Sequence, residues 1–132
     1  MIGLDSNVLV RLALRDDEAQ YERARNFLAG SISPQVPAYV NLIVLVEFAW
    51  TLRRLYKHSN AQVLAAVLRL LNAANVVLQK RDVVSSAIAY CQRHQCDFPD
   101  TLIAFINRED GCDSTFTFDD SFVQSGLAQL VP

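Results

Sequence analysis

Soft metal ligands are scarce in this chain: it holds three cysteines, Cys91, Cys96 and Cys112, and two histidines, His58 and His94. None stands in paired ligand spacing, which argues against a structural zinc. An odd cysteine count also argues against a disulfide framework and for reduced thiols in a cytoplasm. No Ser-His-Asp or Cys-His arrangement can be built, and both histidines are expected at the surface. Proline and glycine number only four each, too few for a linker or a disordered tail. The longest apolar run, Leu42 to Trp50, is broken by Glu47 and followed by Arg53, Arg54 and Lys57, so it falls far short of a membrane span. The first residues do not read as a signal peptide. Charge is nearly balanced, at −2, which argues mildly against a broad phosphate-binding surface.

What is present is apolar and periodic. Hydrophobic residues make up 52% of 132, enough for one domain spanning residues 1–132 that buries about two thirds of its unfolded surface. Short strand-like runs alternate with longer helical ones, the signature of an α/β fold in which a mainly parallel sheet of four to five strands is flanked by helices. Strands are expected at Ile2 to Asp5, Gln35 to Val40 (weakened by Pro37), Asn75 to Leu78 and Ser114 to Phe118. Helices are expected over Asn7 to Leu14, from Asp16-Asp17-Glu18 to about Leu28, and from an Asn41 cap to Tyr56. Others are expected over Ala61 to Leu71, along the Val84, Ala87, Ile88 and Cys91 stripe, from Pro99 to Arg108 with Gly111 as terminator, and for a turn from Asp119-Asp120. A short apolar end follows at Leu127 to Val131.

Four carboxylates sit in patterns that bring them to one edge of such a sheet. Asp5 and Asp119 each follow a short strand and open a helix, and parallel strands place their C-terminal ends together. Asp100 lies in the first turn of a helix, and Glu47, two turns into another, sits in the apolar run Leu45-Val46-Glu47-Phe48-Ala49, where burial without a partner is costly. Gathered acids repel, so convergence implies a cation such as Mg²⁺ or Mn²⁺. Each also has a plainer reading. Asp5, Asp100 and Asp119 suit helix N-termini, and Glu47 can pair with Arg54. Asp97 and Asp120 are placed beside the site or toward solvent. Arg11, Arg15, Arg53, Arg54 and Lys57 are candidate phosphate contacts, or equally solvated helix faces.

The stretches Ile2-Gly3-Leu4-Asp5-Ser6-Asn7-Val8-Leu9, Leu45-Val46-Glu47, Asp97-Phe98-Pro99-Asp100-Thr101-Leu102-Ile103-Ala104 and Thr117-Phe118-Asp119 resemble, in order, the motifs of PIN-domain ribonucleases. Order and length are similar to those of bacterial VapC-like toxins. The resemblance implies that Asp5, Glu47, Asp100 and Asp119 form an acidic metal site, with Asn7 and Thr117 as the polar neighbours that position them. Thr101 departs from the pattern, which usually has a small Ala there. The resemblance further implies a toxin role, a cognate antitoxin and a homodimer, for which the apolar helices around Val44 to Leu55 and Val63 to Leu71 offer faces.

The chemistry expected is metal-assisted hydrolysis of RNA phosphodiesters. Asp5 and Asp100 would hold the principal ion, Glu47 would orient water or support a second ion, and Asp119 would add a ligand or nearby charge. Two other readings stand beside it. A phosphatase with Asp5 as nucleophile needs an Asp two residues on, where this chain has Asn7. A non-catalytic PIN-like module would bind RNA or protein without cutting.

Overall fold

Side chains mark where the helices start. Asp17, Asn41, Ser59, Asp97 and Asp119 each accept a backbone N–H from the first turn that follows, and Ser59 forms a reciprocal capping box with Gln62. The computed structural model describes all 132 residues. The elements run β1 (Ile2–Gly3), α1 (Ser6–Leu14), α2 (Glu18–Ser31), β2 (Ala38–Val40), α3 (Leu42–Arg54), α4 (Asn60–Asn72) and β3 (Val76–Leu78). They continue with α5 (Arg81–His94), α6 (Phe98–Glu109), β4 (Phe116–Thr117), α7 (Asp120–Gln124) and β5 (Gln129–Leu130). Gly111, at φ 95°, takes the left-handed turn that carries the chain out of α6.

Strands β1, β2 and β3 pair in parallel in that order, with Ile2 opposite Ala38 and Ala38 opposite Val76. Parallel pairing forces each connection to cross back over the sheet, which the helices do. The core lies beneath them. Phe48, Leu45 and Leu52 of α3, Val67 of α4, Val84 of α5 and Leu102 of α6 are all less than 2% exposed. Each such side chain contributes about 1.5–3 kcal/mol by leaving water. α5 packs on α4 and α6, while α1 packs on α2 and α3. No helix is long and apolar enough to cross a membrane.

The α/β class expected from the sequence is the one observed, with five strands divided three and two. β4 pairs in parallel with β5, Phe116 opposite Gln129, as a separate two-stranded sheet. Backbone bonds from Gln129 N to Thr115 O and from Val131 N to Thr117 O close this pair around α7. The segment that joins the two strands is short, so the pair closes at modest entropic cost. Asp5 and Asp119 therefore follow strands of two different sheets and do not share one sheet edge.

A second expectation is also corrected. The apolar faces of α3 and α4 proposed for dimerisation are largely consumed internally: Val44, Leu45, Phe48, Leu52, Val63, Val67 and Leu71 are buried in the core. What remains outside on α3 is Ile43, Trp50 and the adjoining Leu55.

Candidate active site

Asp5 occupies the N-cap position of α1 in extended conformation, but its side chain makes no capping hydrogen bond. Its exposed carboxylate is left free at the positive end of a helix. The next residue, Ser6, is buried and donates its hydroxyl to Glu47 Oε2 at 3.1 Å. One bond thus ties the start of α1 to the middle of α3 and brings Glu47 beside the residue that follows Asp5. Asn7 is exposed in the first turn of α1 and makes no side-chain hydrogen bond.

Glu47 is exposed, contrary to the burial argued from its apolar neighbours. Helical periodicity explains the difference. Val44, Leu45, Phe48 and Ala49 turn inward, whereas Ile43, Glu47 and Trp50, spaced by four and three residues, share the outer face.

The second half of the site is built by α6 and α7. Asp97 caps α6 by accepting the Asp100 N–H at 2.9 Å, and Phe98, Pro99, Thr101 and Leu102 bury around it. Asp100 is half-buried, and its carboxyl is pushed up to about 6, first by burial and then by the negative charges of Asp97 and Asp119. Asp119 caps α7. Its Oδ1 accepts from the Ser121 hydroxyl at 2.8 Å and the Ser121 N–H at 2.9 Å, bonds that hold its carboxyl below the usual range. Thr117 Oγ1 accepts the Asp119 N–H at 3.0 Å. Asp120 is exposed in the first turn of α7.

Asp97, Asp100 and Asp119 line one cleft of about 380 Å³, which Arg53, His94 and Asn60 also border. Asp5 and Glu47 are not in its wall. No three Asp, Glu, His or Cys side chains come together as a ligand set, so the four expected carboxylates do not stand as one cluster. The cleft-lining Asn60 and Ser121 carry no sequence signal. His94 is exposed, as expected, and its ring lies tilted against Tyr90 at 4.2 Å between centroids.

The candidate phosphate contacts also separate. Arg53 reaches the cleft and donates to His58 O at 3.1 Å. Arg11 is paired with Asp16 at 2.7 Å, whose other oxygen takes the Tyr56 hydroxyl. Arg15 forks onto Glu18 and lies over Tyr21, and Arg54 stacks on Trp50 at 3.7 Å. Lys57 takes a left-handed backbone conformation, at φ 54°, in the turn after α3.

Carboxylate oxygens are hard donors that suit Mg²⁺ or Mn²⁺, and Mg²⁺ accepts one or two of them while keeping waters. The raised Asp100 carboxyl beside two further acids is an excess of negative charge that a cation would relieve. Asp100 and Asp119, which face the cleft, are donors of the kind a divalent ion takes, while Asp5 at the start of α1 and Glu47 on α3 stand outside the cleft wall.

No curated protein matches the chain in sequence. Among solved structures, the crystal structure of Mycobacterium tuberculosis VapC20, a Sarcin-Ricin loop cleaving toxin, is similar over 100% of both chains, with 22% identity and a TM-score of 0.46. The family model of the PIN domain matches residues 2–126, an interval that takes in every acidic motif described above. The chain belongs to the PIN domain family, a family of nucleases.

Proposed function

We propose that this chain is a metal-dependent ribonuclease, acting in the cytoplasm as the toxin of a toxin–antitoxin pair. The observation that carries the reading is the cleft in which Asp100 and Asp119 stand together beside Arg53, in a chain of the PIN family. Asp5 and Asp100 are the direct ligands for Mg²⁺ or Mn²⁺, Asp5 because its carboxylate is not used as a cap and Asp100 because crowding favours neutralisation. Once bound, the ion supplies Lewis acidity to a phosphate oxygen and lowers the pKa of an attacking water. Glu47, steadied by Ser6, orients that water or supports a second ion, and Asp119 adds a ligand or nearby negative charge. Thr117 fixes the backbone of Asp119, and Asn7 serves as the polar neighbour of Asp5. Arg53 meets the RNA backbone, whereas Arg11, Arg15 and Arg54 contribute less because each is engaged within the protein.

The partners in this reading are RNA, a cognate antitoxin and a second copy of the chain. The phosphatase alternative lacks the second acid at Asn7. The non-catalytic alternative is separated by experiment: purified protein is incubated with structured RNA in chelator and then in Mg²⁺ or Mn²⁺, beside Asp5→Asn and Asp100→Asn. Metal-dependent cutting lost in both variants supports the nuclease, while RNA binding without cutting supports the binding module. Growth arrest on expression, relieved by a small co-purifying protein, tests the toxin role; harmless expression alone counts against it.

A further inference from the structure

The region immediately before the α6 cap carries an arrangement that the nuclease reading does not use. Cys91, on the last turn of α5, and Cys96, in the following loop, bring their sulfurs to 3.8 Å. The chain reverses between them through Gln95, a left-handed residue at φ 53°, whose N–H returns to Cys91 O. Thr101, fully buried, stands over both. Its Oγ1 lies 3.3 Å from Cys91 Sγ and 3.2 Å from Cys96 Sγ and donates to Asp97 O at 2.7 Å. Turns of this kind often bring two apolar side chains together, and two cysteines satisfy that contact. They also satisfy a condition that two valines would not: sulfurs at this separation need close by only about 1.8 Å to bond.

Access favours the pair as well. Both cysteines line a cleft of about 620 Å³ between α4 and α5, wide enough for a small oxidant. Cys96 is the half-buried member. Cys91 is buried, and burial pushes its thiol up to about 12, which makes it a poor first nucleophile.

We propose that Cys91 and Cys96 are a modification site that forms a reversible intramolecular disulfide when the protein meets hydrogen peroxide. Cys96 thiolate attacks one peroxide oxygen, the O–O bond breaks, and the departing hydroxide is protonated to water, leaving Cys96 as a sulfenic acid. The Cys91 sulfur then attacks the Cys96 sulfur. The S–S bond forms as the S–OH bond breaks, and the hydroxide leaves as water with the proton of Cys91. Two thiols are oxidised, one peroxide is reduced, and two waters result.

Closing the bond draws Cys96 toward Cys91, because Cys91 is held in a helix packed against the core. Cys96 is covalently joined to Asp97, which caps α6 and accepts the Thr101 hydroxyl, so the displacement reaches the turn that carries Asp100. The disulfide itself does not depend on the nuclease reading.

The test is peptide mapping of the whole protein in a Cys112→Ser background, before and after peroxide treatment, beside the same protein with Cys96→Ser. The expected result is that both remaining thiols are lost, Cys91 and Cys96 appear as one linked peptide, and dithiothreitol restores them. Amide exchange at residues 97–102 should be faster in the oxidised form. Cys96 oxidised singly to sulfinic acid, or both thiols free until the protein is denatured, would overturn the proposal. Unchanged amide exchange in a linked protein would overturn its connection to the Asp100 turn. Wild-type protein mapped in parallel keeps the result independent of how either variant folds.

Discussion

Asp100 is the residue whose surroundings say most about the site. Burial and two neighbouring acids raise its carboxyl from 3.8 to about 6, so the folded state holds this proton more tightly than the unfolded chain does. In metal-free protein its contribution to stability therefore falls as pH rises from about 4 to about 6. Asp100→Asn should remove that decline and raise the melting temperature in chelator at pH 7 by a few degrees, the shift that about 1 kcal/mol gives in a domain of this size. Thermal unfolding at pH 4.5 and pH 7 checks it, and an equal effect at both values would refute the crowding argument. The identity of this residue was readable from its motif, but its crowding was not, because Asp119 comes near Asp100 only after the chain has turned through α6 and β4. Glu47 shows the opposite failure. Its apolar neighbours looked like a buried setting, yet a helix with one face in the core and apolar residues left on the other produces the same string.

Helix starts were the most legible elements, since caps are local chemistry. Asn41, Pro99 and the Asp119-Asp120 pair all stand where their residue types expected helices to begin, and Gly111 ends α6. The strand pairing was less legible. β5 is only Gln129–Leu130, both exposed, so it has no burial alternation to read, and its partner choice rests on a few backbone bonds. Capping also separates two roles of one residue at this scale. Asp97→Ala should cost about 1 kcal/mol, since the Asp100 N–H loses its acceptor, whereas Asp97→Asn keeps an acceptor and should lie within about 0.5 kcal/mol of wild type. Chemical denaturation distinguishes them. Equal losses in both would mean that the negative charge, and not the cap, holds the start of α6.

For the molecule as a whole, the α/β class and the PIN family were both readable, because ordered motifs spread along the chain constrain the fold more than any one of them does. The division into two sheets and the meeting of Asp100 with Asp119 in one cleft were not: the first turns on strands of two residues each, and the second on a contact made only after the chain has passed through α6 and β4. The outer face of α3 belongs to this scale too. Trp50 is 50% exposed and Ile43 71% exposed, a surface that fits the proposed homodimer. Trp50→Glu should shift the protein toward monomer in light scattering, with its circular dichroism unchanged; a wild-type protein already monomeric would remove the dimer from the account.

The central claim is that a divalent ion held by Asp5 and Asp100 drives RNA cleavage. The most direct measurement is the single-turnover cleavage rate of structured RNA across a Mn²⁺ series, for wild type, Asp5→Asn and Asp100→Asn. The account predicts no cutting in chelator, saturable activation of wild type, and losses of about a hundredfold or more in both variants, since changing even an outer partner of a metal site costs about 10–100-fold. Cutting that persists in chelator, or is unchanged by either substitution, would contradict it.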